Sequence, residues 1–375
     1  MAEIFVTSTA DSGAGSLRQA IADAADGDVI LFDPTIFPAG QTTTIYLSSY
    51  LSVNKSIGIY GGVADGNGGY TSGATITRYV VRTVNDVETE VVVDDNHPAL
   101  EGETVLLRVT TRVALDGQAV QDPDAADEWS GWTGTRVFAY YGANVADATF
   151  SGVTCRNGLS TTSMYGGCFS LVSTSAQDAK INIVDCSFIN GIRTNGGSGG
   201  ICIDVPKGGV SFTRCEFSGF KTQSAGGVYI NSGQNTFTDC TFSTNTATKS
   251  GGAIRVNSAG FVSFVGETTT IKDCEAATGS GIYHSSIRAI VGTPSLENCE
   301  IVYDVNAETR TTRYFTTTAD SGTGSLRAVL AECAANDAVA PDPETFAVGS
   351  TVTILLASPL TVAQRVHLKG AGRSY

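Results

Sequence analysis

The chain has 375 residues, a formal charge of −14, 42% hydrophobic side chains, 43 glycines and two methionines. That acidity argues against nucleic acid or an anionic membrane surface as partner, since both need basic patches, and the apolar content argues against disorder. No stretch approaches the roughly 18 apolar residues of a spanning helix, and residues 1–30 lack a basic segment followed by an unbroken apolar run.

The N-terminal block, residues 1–62, opens with a strand at residues 4–7 and a glycine turn at Gly13 and Gly15. Ser16 then precedes Leu17, Ala20, Ile21 and Ala24, an N-cap followed by helical spacing. The helix expected over residues 17–25 suits a cap, because an open β-solenoid end exposes strand edges and apolar core. Three strands follow, at residues 29–32, 45–47 and 53–60, parted by Pro34, Pro38, Gly40 and Asn54.

Residues 63–140 fit the later repeats badly. Residues 83–128 hold twelve acidic side chains and two arginines, so a projecting acidic insertion is expected over about 83–134, with strands at residues 105–113 and a loop at 121–127. Trp129, Trp132, Tyr140 and Tyr141 follow at once. They either form a platform for a sugar or protein partner or pack the root of the insertion onto the first coil. Asp122, Asp124 and Asp127, and Asp65 with Asn67, have alternate oxygen ligands of the kind calcium takes, but neither stretch matches a calcium loop. Solvated acidic turns are the expectation, with no cofactor or metal.

Residues 141–308 carry the pattern that decides the architecture. Cys155, Cys186, Cys215, Cys240, Cys274 and Cys299 recur at gaps of 31, 29, 25, 34 and 25 residues, interleaved with the glycine phrases Gly166-Gly167, Gly199-Gly200, Gly226-Gly227, Gly251-Gly252 and Ser280-Gly281. Recurrence at this period without helical segments describes coils of a solenoid. Strand alternation places Cys186 with Phe188, Cys215 with Phe217 and Cys240 with Phe242 on one face, while the apolar residue three before each cysteine (Ile183, Phe212, Phe237, Ile271, Leu296) requires a bend between them. The six cysteines are expected to stack as one core ladder of buried free thiols, because parallel rungs about 4.8 Å apart fit disulfide geometry poorly. No CxxC pair or Cys/His cluster suggests zinc. The position after each glycine phrase's core residue (Phe169, Cys202, Tyr229, Ile254, Tyr283) makes an outward stripe, either an exposed recognition face or one covered by a loop.

Residues 314–375 repeat residues 5–66. Thr7–Arg18 matches Thr316–Arg327 at an offset of 309, with Ala-Asp-Ser-Gly and Gly-Ser-Leu-Arg in both, and the register runs without a gap through Asp33-Pro34 onto Asp342-Pro343. The chain thus holds one module and the start of a second. Either a tandem array is cut there, or the partial module caps the first and leaves an edge for homotypic end-to-end association.

The repeat resembles the polymorphic outer-membrane proteins and autotransporter passengers, whose coils carry GGA[ILV] and FxxN phrases. Phe242 to Asn245 followed by Gly251 to Ile254 carries both; Phe188-Ile189-Asn190 is one residue short and Phe217 lacks the asparagine. The N-terminal block is similar to the Ser-Leu-Arg, Ala-Ile, Gly-Asp cap of secreted bacterial β-helix proteins. The resemblance implies an all-β, right-handed parallel β-helix, acting at the bacterial cell surface or outside the cell as an adhesive or structural module, with a host or neighbouring-cell protein or glycan as partner. The family's outer-membrane barrel is not in this sequence, so no direct membrane insertion is expected. Met1 precedes a sequence that reads as the middle of a protein, so targeting signals are expected outside it.

The competing class is polysaccharide lyase or hydrolase, which uses the same fold and needs clustered carboxylates. The three histidines, His97, His284 and His367, lie outside any paired-acid phrase. Asp94, Asp95 and His97 come nearest, but Pro98 favours a turn, and no catalytic residue is assigned.

Overall fold

A computed structural model describes residues 1–84, 87–94, 97, 103–161, 165–175, 178–195, 199–266, 268–285, 290–303, 312–333, 337–342, 344–346, 353–362 and 366–368. The chain divides into two compact units, Met1–Asp304 and Val305–Tyr375. The protein is nearly all β, a parallel β-solenoid of about 10 turns with two short helices.

Three parallel sheets build the first unit, the third only between Leu159 and Thr278. The first has 13 strands, the second eight and the third five. Coils stack in register, Phe188 on Phe217 on Phe242 in the second sheet and Ile183 on Phe212 on Phe237 on Phe264 in the first. Like rests on like, so the rings stack face to face: Phe217 and Phe242 at 4.5 Å and 7°, Phe212 and Phe237 at 4.9 Å and 6°. All of these side chains are buried in one continuous core.

The expected bend exists, and its chemistry is visible. Asp185, Arg214 and Asp239 take φ of 53°, 49° and 51°, each just before its cysteine. A left-handed residue reverses side-chain parity there and costs least for Gly, Asn or Asp. In the preceding coil Gly152 takes that place at φ 66°, and a Cβ there would lie 1.7 Å from the Ser72 carbonyl oxygen. A second bend follows at Asn157, Asn190, Gly219, Thr244, Asp273 and Asn298, all at positive φ.

The two bends correct the single cysteine ladder. Cys186, Cys215 and Cys240 do share one column, each just after the first bend, as Glu216 N–H donating to the Cys186 carbonyl and Thr241 N–H to that of Cys215 show. Cys155, however, pairs with Phe188, in the phenylalanine column, and the first-bend column holds Val153 at that level. Cys274 and Cys299 follow the second bend, in line with Asn245, because Phe242 pairs with Ile271 and Ile271 with Leu296. All nine cysteines are free, and all but half-buried Cys299 are buried. Burial pushes the Cys186 and Cys240 thiols well above their ordinary range.

The helix forms where expected, as α1, Leu17–Asp23, with Ser16 Oγ accepting from Gln19 N–H at 3.2 Å. The strands after it are Val29–Phe32, Thr43–Tyr46, Leu51–Val53 and Gly58–Tyr60; the expected strand over 53–60 is two, broken after Val53.

The acidic insertion is also corrected. It begins earlier, as an antiparallel sheet of Thr75–Val84, Val87–Val93 and Val105–Thr110. It ends earlier too, since Val113–Asp116 is a second-sheet strand between Thr43–Tyr46 and Val153–Arg156. A separate hairpin pairs Val120–Gln121 with Trp132–Thr133. Far from projecting freely, strand Val105–Thr110 lies across successive coils as a strap. Its backbone meets outward side chains of the second sheet: Val109 N–H donates to Glu216 Oε2 at 3.0 Å, Leu107 N–H to Thr241 Oγ1 at 2.9 Å, and the Val105 carbonyl accepts from Thr270 Oγ1 at 2.8 Å. One rung is met per two strap residues, so an edge strand that would otherwise be open is satisfied by side chains.

The second unit repeats the first in detail. Helix α2, Leu326–Glu332, is capped by Ser325 accepting from Ala328 N–H. Glu3, Val29 and Gly58 align across strands as Thr312, Ala338 and His367 do, again at an offset of 309. Arg18 clamps Asp11 and the Ser49 and Tyr50 carbonyls, and Arg327 clamps Asp320 and the Ser358 and Pro359 carbonyls.

Candidate functional site

The outward row of the first sheet runs Ser170, Cys202, Tyr229, Arg255, Tyr283, Val302. Phe169 and Ile254, assigned to this stripe from the sequence, point into the core and are fully buried. The reason is local: beside Cys168 and Ala253 the glycine pair sits one residue earlier relative to the strand, which flips parity. Tyr229 and Tyr283 do face outward, half-buried. Between them Arg255 places its guanidinium 5.3 Å over the Tyr283 ring while Nη1 donates to Ser250 Oγ at 2.8 Å.

Beside this stripe two asparagines hold the Tyr229 hydroxyl. Asn257 Nδ2 donates to Tyr229 Oη at 2.5 Å and to Asn231 Oδ1 at 2.9 Å, and Tyr229 Oη donates to Asn231 Oδ1 at 3.4 Å. Burial raises the Tyr229 phenol above its ordinary range, so it stays a neutral donor and acceptor. The patch offers a phenol, a guanidinium, an aromatic ring and carboxamides along one line, groups that meet hydroxyl-rich or peptide ligands by hydrogen bonding and stacking. Arg255, Asn231 and Asn257 were not legible as a set, because they join Tyr229 and Tyr283 only once the coil register is known.

The aromatic platform of the sequence reading divides. Tyr140 is buried, its hydroxyl donating to the Ile57 and Thr149 carbonyls at 3.2 and 3.3 Å, so it is a core residue and leaves the platform. Trp129 lies against the third sheet, with Lys221 Nζ 5.6 Å from its ring centroid and 3.2 Å from Glu128. Trp132 Nε1 donates to the Glu128 carbonyl at 3.0 Å. Trp129 and Glu128 therefore tie the 120–133 hairpin to the solenoid through Lys221, while the Trp132 bond closes the hairpin on itself. Tyr141 is exposed and meets Tyr165 edge-on at 5.7 Å; Tyr165 and Tyr50 in turn sandwich the Arg136 guanidinium at 4.5 and 3.8 Å. This cluster draws on residues far apart in sequence, which is why only Tyr141 was visible beforehand.

The candidate acidic groups are engaged locally. Asp65 Oδ1 accepts from Asn67 and Gly69 N–H groups, Asp122 Oδ1 from Asp124 N–H, and Asp127 Oδ1 from Trp129 N–H. These are turn contacts, and among the described residues no cluster of His, Cys, Asp and Glu is arranged to hold a metal. His97 Nε2 lies 2.8 Å from Glu103 Oε2, and Arg82 Nε donates to the same carboxylate. His284 is buried beside Tyr303. Asp95, Pro98 and the His367 side chain lie outside the described residues. Among those residues no helix is long and apolar enough to cross a membrane.

Comparison with known families, curated proteins and solved structures finds no match to this chain.

Proposed function

We propose that the first unit is a structural and adhesive module of a bacterial cell-surface or extracellular protein, presenting the Tyr229–Arg255–Tyr283 stripe to a glycan or protein partner. The single observation that supports the reading is the chemistry of that stripe: half-open aromatic and guanidinium groups in register, with Asn231 and Asn257 beside them. A solenoid carries such a row on a rigid sheet, so the groups are placed before any ligand arrives. The strap over the second sheet and the hairpin over the third leave the first sheet as the long parallel face best suited to contact.

Binding of the purified chain to arrays of glycans and surface proteins tests this. The expected result is a ligand whose affinity falls about tenfold or more in Tyr229→Ala and Tyr283→Ala, about 1.4 kcal/mol each, with Trp129→Ala much less affected. Equal loss in all three variants, or no ligand, counts against it. Turnover of a polysaccharide would shift the assignment to the enzymatic alternative.

A further inference from the structure

The Arg136 guanidinium is covered by the Tyr50 and Tyr165 rings, at 3.8 and 4.5 Å from their centroids. Among the described residues it has no hydrogen bond or ion pair, and its nitrogens are not closed off from solvent. Arg82, Arg108, Arg156 and Arg214, by contrast, each lie on a carboxylate. With both faces of Arg136 taken by rings, what remains free is the donor edge in the guanidinium plane. That edge meets a planar carboxylate through two parallel hydrogen bonds.

The backbone holds these groups together. Leu51 N–H donates to the Val137 carbonyl at 2.9 Å, which sets Tyr50 beside Arg136. Arg18, paired with Asp11, donates to the Tyr50 carbonyl at 3.1 Å, and buried Arg193 donates to the Tyr165 carbonyl at 2.7 Å. The corner itself needs neither Tyr50 nor Arg136. Arg327 makes the equivalent of the Arg18 bond onto Pro359, which stands 309 residues after Tyr50. Counting back from the Phe138–Phe169 rung, the next coil has Gly167 in the place of Arg136. Ring and cation are thus additions to the fold, and Tyr50 and Tyr141 are 37% and 44% exposed, with Tyr141 edge-on to Tyr165 at 5.7 Å. Open phenol rings offer an apolar face and a polar tip, which suits the C–H face and hydroxyls of a sugar.

We propose that Arg136, with Tyr50, Tyr165 and Tyr141 around it, binds the carboxylate of a uronic-acid unit in an acidic polysaccharide. The carboxylate takes two N–H groups of Arg136, and the sugar ring rests on the exposed Tyr141 ring. A polysaccharide is favoured over a peptide because a uronate carries its carboxylate on the ring itself, so one unit meets cation and phenol together. The charge of −14 opposes such a ligand only weakly at a distance, since salt screens exposed charges beyond about 8 Å. The site is separate from the Tyr229 stripe and does not depend on a ligand there.

Calorimetric titration of the full chain, in a metal chelator, with tetramers of galacturonate, glucuronate and mannuronate, their methyl esters and the matching neutral tetramers tests it. At least one uronate tetramer should bind with a dissociation constant of roughly 0.1 to 1 mM, and its ester and neutral counterpart at least about tenfold more weakly. Arg136→Gln should weaken binding at least about tenfold, and Arg136→Lys, which keeps the charge but not the fork, at least about threefold. Tyr141→Ala should also weaken it about threefold or more, while Tyr229→Ala should leave it unchanged. The ester comparison uses the native chain, so it holds even where a variant folds poorly. No uronate binding below about 5 mM, equal binding of acid and ester, or full binding by Arg136→Gln overturns the proposal. So does tighter binding of peptides through a free terminal carboxylate.

Discussion

Replacing Phe217 with alanine should be among the most damaging single changes in the solenoid. The ring is fully buried, stacked on Phe188 at 5.4 Å and 15° and on Phe242 at 4.5 Å and 7°, with edge contacts to Phe212 and Phe237 at 5.4 and 5.9 Å. Truncating a core phenylalanine costs about 3–5 kcal/mol, and each stacked neighbour contributes about 0.5–1.5 kcal/mol beyond area burial. Collapse into the cavity is restrained, because Phe188 and Phe242 are fixed by their own backbone rungs; the upper half of the range, about 4–5 kcal/mol, is expected. Urea unfolding followed in parallel by far-ultraviolet circular dichroism and tryptophan fluorescence measures it. Trp129 rests on Lys221, four residues after Phe217, so fluorescence reports the damaged coil and dichroism the whole solenoid. Phe217→Leu should recover most of the loss, and Phe5→Ala, at an exposed edge, should cost less than about 0.5 kcal/mol. A Phe217→Ala cost below about 1 kcal/mol, with the fluorescence transition unmoved, would refute the stacked column.

Ser16→Ala should destabilise the first unit by about 1 kcal/mol through loss of the α1 cap, read as a lower urea midpoint, and Ser325→Ala should do the same to the second unit. Glu216 lies beneath the strap, and its carboxyl is raised by burial, with the hydrogen bond from Val109 N–H opposing. Because its folded value lies above its unfolded one, its contribution is fully present below the ordinary carboxyl range and is lost as pH rises through the folded value. Glu216→Gln should therefore flatten the fall in stability as pH rises above the ordinary carboxyl range, with no change in slope counting against the buried assignment. Cys299 is half-buried and its thiol is lowered to about 7 by hydrogen bonding from Cys274. Mass spectrometry after brief alkylation of the native protein should find it modified first, with the buried cysteines following only on unfolding.

Much of the architecture was legible because it repeats. The glycine phrases, the alternating Cys-x-Phe triplets and the 309-residue offset each specify a coil or a cap without tertiary knowledge. The cysteine columns were less legible for a physical reason. Phe237-Thr238-Asp239-Cys240 and Ile271-Lys272-Asp273-Cys274 have the same form, yet the first spans the first bend and the second spans the second bend. Both corners need a residue that tolerates positive φ followed by a small buried one, so the local spelling is the same. The residue two places on distinguishes them: Phe242 continues the phenylalanine column of the second sheet, whereas Ala276 follows Thr222 and Ala247 in the third. Asn245, the asparagine of the Phe-x-x-Asn phrase, explains itself only in three dimensions, where its buried amide donates to the Phe217 carbonyl and accepts from Phe220 N–H, tying two coils together. The strap was hidden because its hydrogen bonds run from backbone to side chains more than a hundred residues away.

The separation of the cysteines into columns carries the coil assignment, and sulfur anomalous diffraction from crystals of the chain tests it most directly. The account predicts the Cys186, Cys215 and Cys240 sulfurs on one line at rungs of about 4.8 Å, Cys274 and Cys299 on a second line, and Cys155 off both. Six sulfurs in a single column, or pairs about 2 Å apart, would contradict it.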